Sequence, residues 1–223
     1  MHEFPKYLAP SDAEVVSLVA EHPFALVIST GEDGVPIATH TPVILDPASP
    51  RPEGGFVGQT LYGHIARANP QWRSFSPDRN VLLVFSGPHD YVSPTAYGYE
   101  PAVPTWDYTA VHLTARLELL ESREDCLRIV SDTVTALEGL EDVQWDMHAS
   151  IPTFERIVEH VVGFRLHVVE QRAVFKLSQD MPTDVRERVA DASRARGCPY
   201  GDVASLIEGG GVVRTTTTER SAR

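Results

Sequence analysis

The stretch Trp106-Asp107-Tyr108-Thr109-Ala110-Val111-His112-Leu113-Thr114-Ala115 decides the fold class. In an extended chain Tyr108, Ala110, His112 and Thr114 share one side. Asp107, Thr109, Val111, Leu113 and Ala115 share the other. The alternation continues to Leu120 and predicts a long strand over 106–120, which needs partners on both edges. Upstream, Asn80 to Phe85 (NVLLVF) reads as a buried strand. Gly87-Pro88-His89-Asp90-Tyr91 then reads as a turn, and the chain to Pro104 as a loop dense in Pro, Tyr and Gly. Farther back, Phe24 to Thr30 (FALVIST) and Val35 to Leu45 flank Gly31-Glu32-Asp33-Gly34, the pattern of a hairpin. Downstream, Gly163 to Val169 and Ala173 to Leu177 read as closing strands.

Helical signals lie around these strands. Ser11-Asp12-Ala13-Glu14 has capping-box spacing, and Val15, Leu18 and Val19 follow at helical intervals up to His22-Pro23. Leu61-Tyr62-Gly63-His64 reads as a strand end entering a short helix over 65–75. Ser122 caps a helix with Leu127, Val130, Val134 and Leu137 on one side. Further helices are predicted over 152–161, 182–195 and 202–207. Antiparallel hairpins, one long strand and helices at the ends argue for an α+β protein: a small β-barrel with peripheral and C-terminal helices. The expectation is a single domain over 1–208, with a disordered tail over 209–223.

Composition narrows the function classes. A net charge of -12 repels phosphate backbones, and no Lys/Arg cluster is visible, so nucleic acid is not an expected partner. No apolar run approaches the roughly 20 residues that span a bilayer, and no secretory pattern opens the sequence. Cys126 and Cys198 stand in unrelated contexts, which suggests neither a disulfide nor a thiolate metal site. The expectation is a soluble cytoplasmic protein. Phosphate loop, nucleophile elbow and internal repeats are all missing.

Four motifs carry the chemistry. They are Gly63-His64-Ile65-Ala66-Arg67-Ala68-Asn69-Pro70-Gln71-Trp72, Phe85-Ser86-Gly87-Pro88-His89-Asp90-Tyr91-Val92-Ser93-Pro94, Pro104-Thr105-Trp106-Asp107-Tyr108-Thr109-Ala110-Val111-His112 and Phe175-Lys176-Leu177-Ser178-Gln179. With Pro36-Ile37-Ala38-Thr39-His40 and Val162-Gly163-Phe164, they resemble the PaiB family of flavin-binding regulators over nearly the whole chain to about Val189. That resemblance implies the FMN-binding type of split barrel and a homodimer with the cofactor at the subunit junction. Ser93-Pro94-Thr95-Ala96-Tyr97-Gly98, Pro101 to Trp106 and Trp145-Asp146-Met147-His148-Ala149-Ser150 look like the haem-dependent piperazate synthases. Asp180 stands where the regulator branch has Asn. Those enzymes cyclise N5-hydroxy-ornithine to piperazic acid by forming an N–N bond, in natural-product biosynthesis.

Residue roles follow from chemistry and resemblance together. Neutral imidazole is the usual proximal donor to haem iron, and His64 matches the axial-ligand position of the piperazate synthases. The regulator branch has a His here too, so helix capping or a flavin contact stays open. Lys176 closes the apolar run Ala173-Val174-Phe175, where desolvation favours proton transfer, or else snorkelling or a propionate contact. Thr109 is a candidate to orient substrate, or an ordinary strand threonine. Tyr91, Trp106 and Tyr108 are candidate flat walls for a porphyrin or an isoalloxazine. Arg67 and Arg73 are candidates for haem carboxylates or a flavin phosphate, or else solvated arginines on a helix surface. His40, His89 and His112 are not read as ligands, and His112 is expected in the interior. The expected cofactor is haem b, with FMN the alternative. The expected substrate is a small amino acid, the expected activity an enzyme's. The rival is a PaiB-type FMN-binding transcriptional regulator, or a flavin-dependent reductase on the same barrel.

Overall fold

A computed structural model describes residues 1–213. Six strands close into a barrel in the order β1-β2-β3-β6-β5-β4. They are β1 (Phe24–Thr30), β2 (Pro36–Leu45), β3 (Thr60–Ala66), β4 (Asn80–Val92), β5 (Thr105–Leu120) and β6 (Val161–Lys176). Five helices accompany them: α1 (Asp12–Glu21), α2 (Arg123–Glu138), α3 (Ile151–Ile157), α4 (Thr183–Arg196) and α5 (Val203–Glu208). The α+β split-barrel expectation holds. No described helix is long and apolar enough to cross a membrane.

The chain gathers into two compact units. The first comprises Met1 with residues 22–86 and 111–172, the second residues 2–21, 87–110 and, of the described residues, 173–213. Strands β4, β5 and β6 therefore contribute segments to each.

In the first unit, β1 and β2 form the hairpin that the Gly31–Gly34 turn requires, with Phe24 opposite Pro42 and Thr30 opposite Pro36. Strands β3 and β6 pair antiparallel, with Gly63 opposite Phe164 and His64 opposite Gly163. Gly63 lets β3 lie close to β6, because a Cβ there would lie 2.5 Å from the fully buried Phe164 ring, which would have to shift. Helix α2 starts where Ser122 Oγ accepts the Asp125 N–H at 3.0 Å, as its cap sequence predicts. It buries Ile129 with Tyr62, Ile44 and Leu120. The buried face of α2 is Cys126, Ile129 and Thr133, whereas the predicted stripe of Leu127, Val130, Val134 and Leu137 is only half-buried. The apolar spacing fitted two neighbouring stripes, and packing on Gly163 and Tyr62 selected the other.

In the second unit, α1 buries Val15, Val16, Leu18 and Val19. Helices α4 and α5 bury Val185, Val189, Leu206 and Ile207. Asp90 is buried and accepts from Ser193 Oγ at 2.7 Å and from Arg196, tying α4 to the end of β4. Residues 209–213, read as part of the tail, end on buried Val213, whose N–H donates to Glu14 at 2.5 Å. The rest of that tail lies outside the described residues.

Five local readings are corrected. Residues 60–66 stay extended and give way to a 3₁₀ turn (Pro70–Ser74), so His64 lies inside a strand and not at the mouth of a helix. The seven-residue register with β6 supplies backbone partners that a short helix ending near Pro70 cannot match. Gly87 to Tyr91 is not a turn, since β4 runs on to Val92. The two closing strands are one continuous β6, and the helix over 152–161 stops at Ile157 before a 3₁₀ turn. His112 is half-exposed, because the Asp107–Thr109–Val111 side of β5 is the core side.

Candidate functional site

The first unit carries His64, Arg67 and Arg73. On β3, His64 shares its face with Tyr62, as strand alternation dictates. Its backbone carbonyl accepts the Thr41 hydroxyl at 2.5 Å. The imidazole Nδ1 is buried and has no hydrogen-bond partner among the described residues. Burial holds the ring below its ordinary pKa, so it is a neutral imidazole at neutral pH. A neutral ring with an unused buried nitrogen is chemically fit to bind a metal centre or accept a ligand's proton.

The rest of the His64 motif is architectural. Arg67 donates to the Glu159 carbonyl at 2.9 Å and the Val161 carbonyl at 3.0 Å, and pairs with Glu121 at 3.5 Å. Its guanidinium is engaged and is not a vacant anion site. Asn69 caps the 3₁₀ turn through the Gln71 N–H, and its amide donates to Thr39 Oγ1 at 2.8 Å. Trp72 Nε1 donates to the Arg67 carbonyl at 2.9 Å. Arg73 is exposed and stands over the Trp72 ring at 5.3 Å. Gln71, fully buried, donates through Nε2 to the Val27 and Ile37 carbonyls and to Ser29 Oγ at 3.0–3.1 Å. Its Oε1 is buried and unpartnered.

The second unit brings together more of the selected residues. Lys176 Nζ donates to Thr105 Oγ1 at 2.6 Å and to the Trp106 carbonyl at 2.5 Å, and lies 3.7 Å from Asp107 Oδ1. Asp107 is fully buried. Its carboxylate accepts the Ser178 N–H at 3.1 Å and the Ser178 hydroxyl at 2.6 Å. Ser178 holds this position at φ 55°, a left-handed conformation that costs a non-glycine residue about 1 kcal/mol or more. Burial pulls the Lys176 amine below its ordinary range and pushes Asp107 above its own, while each charge opposes the other's shift. Both carboxylate oxygens receive donors, which marks Asp107 as the ionised partner of an ammonium.

Sequence reasoning placed the working hydroxyl at Thr109. That residue is 2% exposed, and its hydroxyl donates to the Pro88 carbonyl at 3.3 Å. The hydroxyl beside Lys176 belongs to Thr105, four residues earlier. Because the ammonium occupies an acceptor lone pair of Thr105, the Thr105 proton points to another acceptor. Near it, Trp106 and Tyr91 meet edge to face at 6.1 Å, and His89 stacks on Tyr200 at 4.7 Å and tilts toward Trp106. Trp106, Tyr91 and Tyr200 are all more than 40% exposed, an aromatic surface open to solvent. Tyr108 is half-buried on the face away from Asp107. Asp107 and Ser178 were missed as site residues, although an acid on the core-facing register of a strand is itself a signal.

Residues 1–170 match the family model "Putative FMN-binding domain". The chain belongs to the PaiB-like FMN-binding split-barrel family. It is 36% identical over 211 residues to the protease synthase and sporulation protein PAI 2 of Bacillus subtilis, covering 92% of this chain and 95% of that protein. It is 27% identical over 205 residues to an uncharacterized protein of Aspergillus fumigatus, covering 74% of this chain and 78% of that one. Among solved structures, the conserved hypothetical protein Rv2991 from Mycobacterium tuberculosis shares the fold at TM-score 0.57 and 13% identity, with 82% of this chain and 94% of that chain covered.

The family's name raises the question of which cofactor these residues fit. For haem, the buried, neutral, unpartnered His64 is a suitable iron donor. For FMN, a phosphate needs cationic or N–H donors, and Arg67 is already committed to two carbonyls and Glu121. Arg73 remains available to an anion of either group.

Proposed function

We propose that this member of the PaiB-like family is a haem-dependent enzyme of the piperazate synthase kind, which cyclises N5-hydroxy-ornithine. The observation that carries the reading is His64, a neutral imidazole whose buried Nδ1 has no hydrogen-bond partner among the described residues. Its support from sequence is the likeness of Ser93–Gly98, Pro101–Trp106 and Trp145–Ser150 to that branch. His64 would hold haem, which when bound would supply a Lewis-acidic iron for polarising an N–O bond. The substrate's α-amine displaces the N5 oxygen, so an N–O bond gives way to an N–N bond and water leaves. No net electrons are exchanged. Within the second unit, Lys176 and Thr105 form a cation-backed hydroxyl donor of the kind that binds a ligand oxygen and holds a proton at Thr105 Oγ1. The exposed Trp106 and Tyr91 rings offer flat apolar surface to a ligand.

The test is an absorption spectrum of protein produced with a haem precursor. A single intense Soret band that His64→Ala abolishes is the expected result, and it warrants an assay with N5-hydroxy-ornithine lacking any hydride donor. Haem retained in full by His64→Ala places the ligand elsewhere. The family match and the PAI 2 relative favour a second reading, an FMN-binding regulator or reductase. Two broad oxidised-flavin bands would select it.

The same proposal includes a homodimer. Residues 36–40 of β2 are largely exposed, the β2–β3 register covers only Val43 to Leu45, and Phe24, Val35 and Ile37 lie open beside them. A second copy is the occupant that the family resemblance implies. Cys126 and Cys198 are both free thiols, which fits the proposed cytoplasmic setting.

A further inference from the structure

The chain has two lysines, Lys6 and Lys176, against 17 arginines. Both lie in the second unit and on one polar cluster. Lys6 donates to Asp180 at 2.6 Å, Tyr7 donates to the same carboxylate at 2.8 Å, and Lys176 lies 5.6 Å from the Tyr7 ring. Apart from Lys6–Asp180, arginine serves the surface Lys/Arg–carboxylate pairs among the described residues. Lysine stands where an amine that can change protonation differs chemically from a guanidinium.

Within that cluster the Lys176 ammonium has three acceptors: Thr105 Oγ1, the Trp106 carbonyl and Asp107. Of these, Asp107 alone bears a charge, and no water reaches it. Its orientation is imposed by Ser178, whose N–H and hydroxyl occupy both carboxylate oxygens. Ser178 is held in turn by a closed local loop: the Leu177 N–H donates to Gln179 Oε1, and Gln179 Nε2 donates to the Phe175 carbonyl. A residue kept at φ 55° by this loop, with both donors on one buried acid, is a device for fixing that acid.

We propose that Asp107, set by Ser178, is the positioning residue that keeps Lys176 a cation aimed at Thr105, so that the Thr105 hydroxyl is a fixed outward donor to a ligand oxygen. The ligand's acceptor is a hydroxylamine oxygen or a carboxylate. The donor role for Thr105 rests on the functional reading above. The Asp107–Lys176 coupling does not, and it is tested without cofactor or substrate.

Among the described residues, the charged and titratable groups facing the Lys176 amine are Asp107, Asp180, Lys6 and Tyr7. Asp107→Asn deletes the negative charge that favours the ammonium, so the amine must titrate lower. Two lysines make the measurement direct, because protein labelled with ¹³C,¹⁵N-lysine gives two side-chain amine signals. In the wild type, the Lys176 ammonium is expected as a slowly exchanging signal at neutral pH, and Lys6 as a fast-exchanging one that titrates higher. A neutral or freely exchanging Lys176 amine overturns the proposal on the wild-type protein alone, whether or not any variant folds. In Asp107→Asn, the Lys176 midpoint should fall by at least about one pH unit, a tenfold rise in neutral amine, with Lys6 unmoved. An unchanged midpoint also overturns it, and Asp107→Glu should restore most of the shift. If ring closure is observed, the alkaline limb of its pH–rate profile should move with the same midpoint. If it is not, the titration result stands and the substrate assignment falls.

Discussion

At the scale of single residues, burial sets the behaviour of the candidate site. Burial depresses His64, and His22 as well, below the usual value near 6.5. Below that value the unfolded chain binds protons that the folded protein resists, so stability rises with pH until the unfolded imidazole is neutral, and is flat above. Thermal scans from about pH 5 to about pH 7.5 should show this rise, and His64→Leu should remove part of the slope, leaving the part due to His22. An unaltered slope in His64→Leu would show that the imidazole is not desolvated. Gln71 makes a separate case, since its amide closes two backbone carbonyls and Ser29 at once. Gln71→Ala removes this buried donor from both carbonyls and leaves Ser29 Oγ with Ser74 Oγ as its partner, at a cost of about 2–3 kcal/mol in urea unfolding. A loss within about 0.5 kcal/mol would mean that water replaces the amide.

Elements show why the motif around His64 reads as one unit in the sequence. Gly63, Arg67, Asn69, Gln71 and Trp72 each serve the passage from β3 into the 3₁₀ turn, and His64 is the member without a side-chain partner among the described residues. Gly63 sets how closely β3 approaches the Phe164 ring, which also meets Phe75 edge to face at 5.6 Å. Gly63→Ala forces a methyl into that ring and should destabilise by about 1–3 kcal/mol through overpacking. Calorimetry on Gly63→Ala and on Gly63→Ala/Phe164→Leu checks this. The double variant should lose less than the sum of the two single changes, and simple additivity would mean that the methyl and the ring do not meet.

For the molecule as a whole, charge and exposed strand surface decide its partners. The net charge of -12 disfavours a nucleic-acid partner and keeps copies apart at long range, while the open start of β2 offers apolar surface at short range. A homodimer formed there should tighten with added salt, which screens the repulsion. Light scattering across a dilution series at two salt concentrations measures it, with Ile37→Glu expected to give monomers. A monomer at every concentration, or a dimer untouched by Ile37→Glu, removes this surface from the interface.

Much of the architecture was legible in the sequence because it is local. Alternation announced β5, an apolar run and the Gly31–Gly34 turn announced the β1–β2 hairpin, and Ser122 announced α2. The candidates His64 and Lys176 were equally visible, one from a motif and one from an apolar run ending in an amine. What they touch was not. Whether 60–66 would pair or coil depended on Gly163 and Phe164 arriving from far along the chain. Whether Thr105 or Thr109 would meet Lys176 depended on a contact across 71 positions. Periodicity and capping are properties of neighbours in sequence and can be read from it. A buried hydrogen bond needs both its partners placed, and only the closed barrel places them.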